Sequence, residues 1–100
     1  MDNEILPIAG GIVVLHTPGH SAGHVALLIQ KEGILIAADL CVNLFGLGLS
    51  VIYEDKDLGI KSIGKAADLV FEKAVFGHGN PIESQASRKL KDFYHRLQTQ

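Results

Sequence analysis

A chain of 100 residues with 47% hydrophobic and 20% charged side chains is long enough for one small core and too apolar to be disordered. The net charge of -2, without a basic run that contains aromatic residues, argues against nucleic acid as a partner. No segment reaches the roughly 20 apolar residues of a membrane span, and residues 1–4 are acidic where a secretory signal is basic. We therefore expect one cytoplasmic domain over residues 1–100 with no membrane partner. Its one cysteine, Cys41, cannot form an internal disulfide and is expected to be a buried apolar residue.

The first part of the chain predicts β-strands. A short edge strand is expected before Gly11, and apolar runs at 12–15, 25–29 and 34–38 predict three more strands, the last two joined by a polar turn. None of the three runs alternates apolar with polar residues. Such continuous runs are typical of a sheet that is covered on both faces.

The second part of the chain predicts helices around one further strand. An apolar loop with glycines is expected over 40–50 and a short extended piece at 51–53. Acidic residues then favour the start of a helix that ends near Leu69, followed by a buried strand at 74–76 and an amphipathic helix over 83–98. Two helices can cover only one face of the sheet, so the second covering layer has to come from outside this chain.

Three histidines lie in one turn between two of the predicted strands. They are His16, His20 and His24, in the sequence H-T-P-G-H-S-A-G-H. A spacing of four residues would align them on one face of a helix, but Pro18 and Gly19 exclude a helix there. The histidines therefore lie on a loop and cannot be assumed to point in the same direction.

Candidate metal ligands follow the ends of three strands. They are His20 in the histidine turn, Asp39 after the strand at 34–38, and His78 between two glycines after the strand at 74–76. Imidazole and carboxylate together suit zinc, iron or manganese. Each also has a plain structural alternative: Asp39 as a turn cap, His78 as a turn residue and His20 as a hydrogen-bond partner within its loop.

In order and spacing, the histidine turn, the pair Ala38-Asp39 and the segment Phe76-Gly77-His78-Gly79 resemble the second half of the metallo-β-lactamase superfamily. The resemblance covers essentially the whole chain. It implies an α/β (α+β) fold that is the C-terminal half of an αββα sandwich, with a small mixed sheet and two helices on one face. It also implies that His20 binds a first metal ion, that Asp39 bridges both metal ions as the catalytic-site carboxylate, and that His78 binds the second. His16 and His24 would not be ligands, although His24 could orient a ligand or the loop.

The sequence departs from the family pattern at two points. Ala38 stands where family members usually have glycine, directly before the bridging aspartate. The His-x-His-x-Asp-His motif of the family's first half, which supplies most of the other ligands, does not occur in this sequence.

The resemblance implies metal-dependent hydrolysis, with zinc, iron or manganese in a partial site. Two protein ligands per ion hold a metal poorly, so we expect the chain alone to be a weak or inactive hydrolase.

Three hypotheses follow for the intact assembly. In the first, the chain is a half-length metallo-β-lactamase-like protein that forms a homodimer through its uncovered sheet face and keeps a partial metal site. In the second, a separate chain supplies the missing N-terminal half and completes a binuclear hydrolase. In the third, the chain is a non-catalytic scaffold or interaction module derived from the hydrolase fold.

Overall fold

A computed structural model describes residues 4–6, 11–19, 21–44, 46–49 and 53–99. These residues form β-strands and two helices in the order β1 (Glu4–Leu6), β2 (Ile12–His16), β3 (Val25–Ile29), β4 (Ile34–Ala38), β5 (Val42–Asn43), β6 (Leu47–Gly48), α1 (Lys56–Ala67), β7 (Lys73–Phe76) and α2 (Ala86–Gln98). Neither of the described helices is long and apolar enough to cross a membrane.

One mixed sheet carries the fold, with the strand order β1-β2-β3-β4-β7. Strands β1 to β4 are antiparallel neighbours, whereas β7 returns parallel to β4 after helix α1. The parallel pairing places Ala38 beside Phe76, so both strands end at the same edge of the sheet. The residues that follow them, Asp39 and Gly77-His78, are therefore neighbours. The predicted small mixed sheet with two helices is confirmed.

Both helices cover the same face of the sheet. Alternate strand residues point toward the helices and are buried, as the pattern of Val13 and Leu15 on β2 and Leu35 and Ala37 on β4 shows. With residues from the helices and loops they form one core, which contains Val13, Leu15, Ala26, Leu28, Leu35, Ala37, Leu40, Cys41, Ile63, Ala66, Ala67, Phe71, Ala74, Ile82, Ala86, Leu90 and Phe93. Cys41 is buried in this core, as expected, and its burial raises the pKa of the thiol to about 12.

The opposite face of the sheet is apolar but uncovered by any described element. Its aliphatic side chains alternate with the core residues along β2, β3, β4 and β7, and all are partly or fully exposed: Ile12, Val14, Val25, Leu27, Ile29, Ile34, Ile36 and Val75. Val25 is 41% exposed and Val75 is 39% exposed. The continuous apolar strands of the sequence therefore have one face in the core and one face open, which we name the open face.

Several boundaries differ from the sequence-based expectation. The segment 40–50 contains the small β5–β6 hairpin rather than only a loop. Helix α1 ends at Ala67, and α2 begins at Ala86 rather than near residue 83 because Gln85 has a φ of 53°, which is not helical. Of the extended piece at 51–53, Tyr53 is not in a strand and the other two residues lie outside the described residues. The acidic helix start is confirmed, since the Asp55 side chain accepts a hydrogen bond from the backbone N–H of Leu58.

Candidate metal centre

Two of the three predicted ligands lie side by side at the carboxyl edge of the sheet. Asp39 follows β4 and His78 follows the parallel strand β7, and the Asp39 Oδ1 atom is 3.4 Å from the His78 Nδ1 atom. The two side chains are 35% and 72% exposed, so this edge is open to solvent. A carboxylate and an imidazole at this separation form a donor pair that suits a zinc, iron or manganese ion.

The third predicted ligand, His20, lies outside the described residues. Within the described ranges, no group of three or more histidine, cysteine, aspartate or glutamate side chains is gathered closely enough to hold a metal ion. The described residues thus bring Asp39 and His78 together, and the role of His20 stays a prediction from the sequence.

The other histidines have different surroundings. His16 is exposed, and its Nε2 atom is 2.8 Å from the backbone oxygen of Ala22 across the histidine turn. His24 is partly buried and contacts both Thr17 and the backbone of Asp39. His95 is exposed on α2, outside the three motifs.

Helix α1 holds the histidine turn through contacts that the sequence reasoning missed. The Ser62 hydroxyl, which is buried, donates to the backbone oxygen of Pro18 at 2.6 Å. Lys65 Nζ donates to the backbone oxygen of His16 at 2.8 Å, and the Asp55 N–H donates to the backbone oxygen of Gly19 at 2.9 Å. The first part of the turn is therefore fixed to the helix, in addition to the contacts that His16 and His24 make within the turn.

Glycine makes this docking possible. A Cβ atom on Gly19, whose φ is +144°, would lie 2.3 Å from the Cα atom of Gly59, and a Cβ atom on Gly59 would lie 2.7 Å from the ring of Tyr53. The Tyr53 hydroxyl in turn donates to the backbone oxygen of Leu40 at 2.8 Å. A glycine inside a helix lowers the stability of the helix relative to alanine, so its presence there suggests a packing reason. Gly59 in the helical pattern was therefore the sequence signal that could have indicated this close contact.

Gly77 also has a steric role beside the candidate metal centre. A Cβ atom at this position would lie 2.6 Å from Asp39 Oδ1. Glycine therefore leaves room for the carboxylate of Asp39 next to His78.

Ala38, the residue that replaces the usual glycine, has a φ of 50°. This left-handed conformation is unfavourable for a residue with a side chain. A methyl group at this position therefore strains the backbone directly before Asp39.

We expect Ala38→Gly to raise the free energy of unfolding by about 0.5–1 kcal/mol, because relief of the left-handed strain exceeds the entropy that glycine adds to the unfolded chain. Urea unfolding measures this change. Ala22→Gly, in an exposed turn without a positive φ, is the control and should lower the free energy of unfolding slightly. A loss of stability in Ala38→Gly equal to that of the control would contradict the assigned strain.

Known proteins align with nearly the whole chain. No protein-family model matches the chain. The chain is 34% identical over 97 residues to a beta-lactamase-like protein 2 homolog of Drosophila melanogaster, an alignment that covers 97% of this chain and 32% of that protein. It is 32% identical over 95 residues to an N-acyl homoserine lactonase of a Bacillus species, covering 89% of this chain and 37% of that enzyme. A metallo-beta-lactamase family protein from Thermus thermophilus matches in structure with a TM-score of 0.72 and 30% identity, covering 99% of this chain and 34% of that one.

The sequence and the fold are thus similar to metallo-β-lactamase superfamily proteins, which confirms the resemblance seen in the motifs. The similarity is to one segment of these proteins, because the chain spans about a third of the length of the curated relatives that it matches.

Proposed function

We propose that this chain contributes His20, Asp39 and His78 to the metal site of a metallo-β-lactamase-type hydrolase. The observation that carries the proposal is the 3.4 Å approach of Asp39 and His78 at one solvent-exposed sheet edge. Their separation of 39 positions along the chain is bridged by the parallel β4–β7 pairing, which places both at the same end of neighbouring strands. His20 is included because of the sequence motif. The residues before it in the turn, Pro18 and Gly19, are hydrogen-bonded to Ser62 of α1 and to its N-cap Asp55.

The imidazole and carboxylate ligands fit zinc, iron or manganese. When bound, such an ion would polarise the bond under attack and lower the pKa of the attacking water. The residues of this chain hold and orient the ligands. Asp39 presents its carboxylate toward His78, and Gly77 leaves the space for it. We propose acyl esters, including lactones, as the substrate class, because one relative is named as an N-acyl homoserine lactonase.

The proposed site is incomplete in this chain alone. Catalytic zinc sites usually take three protein ligands per ion, and three residues cannot provide that number for two ions. The relatives are about three times as long, and the His-x-His-x-Asp-His motif does not occur in this sequence. We therefore propose that the chain by itself is a weak or inactive hydrolase that depends on a further protein segment.

The open face is the proposed contact for that further segment. It has eight aliphatic side chains on four adjacent strands, each worth about 1.5–3 kcal/mol when fully buried. For the 100-residue chain in solution we propose a second copy as the occupant, since a two-fold pair of these faces would bury both without any other component. A chain that supplies the missing N-terminal half is the alternative occupant.

Zinc binding by the purified chain tests the proposed site. We expect calorimetry to detect bound Zn²⁺ in the wild-type protein and a loss of affinity of at least about 100-fold in both Asp39→Asn and His78→Ala, since each removes a ligand. His95→Ala is the control, because His95 is an exposed imidazole outside the motifs. Equal affinity in the control and in the two ligand variants, or no zinc binding by the wild-type chain, would overturn the proposal and favour a scaffold without a metal.

A further inference from the structure

One peptide unit links the three motifs of the candidate site. It is the peptide between Ala38 and Asp39, whose carbonyl oxygen belongs to Ala38 and whose N–H belongs to Asp39. The carbonyl accepts a hydrogen bond from the N–H of Gly77 at 2.8 Å, directly before His78. The N–H donates to His24 Nε2 at 3.1 Å, in the histidine turn. The plane of this peptide is therefore held from both sides.

The contacts of His24 determine its protonation. Because Nε2 accepts the hydrogen bond from Asp39, it carries no proton, and a neutral imidazole then has its proton on Nδ1. Nδ1 lies 2.8 Å from the Thr17 hydroxyl oxygen and donates to it. Thr17 is 1% exposed, and its own N–H donates to the backbone oxygen of His24 at 2.9 Å. The ring is thus fixed in one orientation and one tautomer.

This anchoring acts where the backbone is strained. Ala38 has a φ of 50°, so without restraint the peptide that follows it would turn toward more favourable conformations. A change in the φ angle of Ala38 carries the following peptide and Asp39 with it, which changes the direction of the Asp39 Cα–Cβ bond and so moves the carboxylate away from His78. The hydrogen bond from His24 opposes this rotation.

We infer that His24 is a positioning residue, whose imidazole in the Nδ1–H tautomer fixes the Ala38–Asp39 peptide and so aims the Asp39 carboxylate at His78. The effect of His24 on metal affinity rests on the proposed function. Its hydrogen bond to the Asp39 backbone and its effect on the orientation of Asp39 do not depend on that proposal. His24 thus differs from the predicted ligands in its role: it holds a ligand through the backbone and does not bind the metal.

Two amide variants separate the two ring nitrogens. In His24→Gln the side-chain oxygen reaches the region of Nε2 and can accept from the Asp39 N–H. In His24→Asn the shorter amide reaches only the region of Nδ1 and can contact Thr17 but not Asp39. We expect zinc affinity to fall by about tenfold to 100-fold in His24→Asn and to stay within about threefold of wild type in His24→Gln, as for residues that orient a metal ligand. A purely structural role of His24 would change stability in both variants without this difference in affinity.

NMR on the isotope-labelled wild-type chain tests the hydrogen bond without any variant. We expect a scalar coupling between the Asp39 amide nitrogen and an unprotonated His24 Nε2, and a single side-chain rotamer for Asp39 that becomes averaged in His24→Asn. A protonated Nε2 in the folded protein, or an Asp39 rotamer unchanged in a folded His24→Asn protein, would overturn the inference. If the wild-type chain binds no zinc, the proposed metal site fails, and the Asp39 rotamer alone then decides the positioning role of His24.

Discussion

Glutamate at position 28 should strongly destabilise this protein, whereas glutamate at position 27 should leave its core intact. Leu28 is 5% exposed and faces the helices, while the neighbouring Leu27 lies on the open face between Val14 and Ile36. Leu28→Glu places a charge in the core and loses a buried side chain, so we expect it to lower the free energy of unfolding by more than about 4 kcal/mol. Small domains are stable by only about 5–15 kcal/mol, so this loss removes a large part of the stability and should move the urea midpoint to a much lower concentration. Circular dichroism with urea unfolding measures the difference.

The same pair of variants tests the proposed dimer. We expect light scattering to find a dimer for the wild-type chain and a folded monomer for Leu27→Glu, because a two-fold contact brings the two new carboxylates into one apolar interface. The Leu27→Glu monomer should still unfold cooperatively in urea, because position 27 lies outside the core, and its stability should no longer depend on the protein concentration. A wild-type chain that is monomeric, folded and stable at high concentration would remove a second copy as the occupant of the open face. Loss of folding in Leu27→Glu equal to that in Leu28→Glu would contradict the folded monomer that we expect for this variant.

Gly19→Ala should detach the histidine turn from helix α1. The new Cβ atom would lie 2.3 Å from the Cα and 2.5 Å from the nitrogen of Gly59, which are backbone atoms that cannot rotate away, and the φ of +144° is itself unfavourable for alanine. We expect a loss of about 2–4 kcal/mol in the free energy of unfolding, together with weaker zinc binding because Gly19 directly precedes His20. Urea unfolding and zinc calorimetry on the same protein measure both effects.

Gly23→Ala is the matched control for this change. Gly23 lies in the same turn, but a Cβ atom there would have no atom within 4 Å, and its φ lies outside the left-handed region. We therefore expect Gly23→Ala to change the free energy of unfolding by less than about 0.5 kcal/mol. If the two glycine variants lose equal stability, the close contact between the turn and α1 is not what requires glycine at position 19.

The sequence predicted the strands well because their apolar runs are long and bounded by turn residues. The bounds of β3 and β4 agree with the expectation, and the acidic start of α1 and the buried Cys41 were also anticipated. The end of α1 and the start of α2 were less accurate, because a helix boundary depends on local backbone angles such as that of Gln85. The β5–β6 hairpin was missed because each of its strands has only two residues.

The candidate site was also only partly predictable from the sequence. The motifs alone predicted His20, Asp39 and His78 as candidate metal ligands, because their residue types and spacing resemble a known family. The spacing could not give the distance between any two of them. The parallel pairing of β4 with β7 decided that Asp39 and His78 are neighbours. The anchoring roles of Ser62 and Tyr53 also required the structure, because a serine or tyrosine hydroxyl has no pattern in sequence that reveals a distant backbone partner.

By itself, the sequence determined the order of strands and helices, the resemblance to the metallo-β-lactamase superfamily and the presence of more apolar strand surface than two helices can cover. These are properties of residue type and periodicity, which are local in the chain. Only the tertiary structure decided which face of the sheet is open, that Ala38 is held in a left-handed conformation, and that His24 contacts the Asp39 backbone across 15 positions of sequence. Those features depend on strand register and on contacts between distant segments, and no local pattern of residues specifies them.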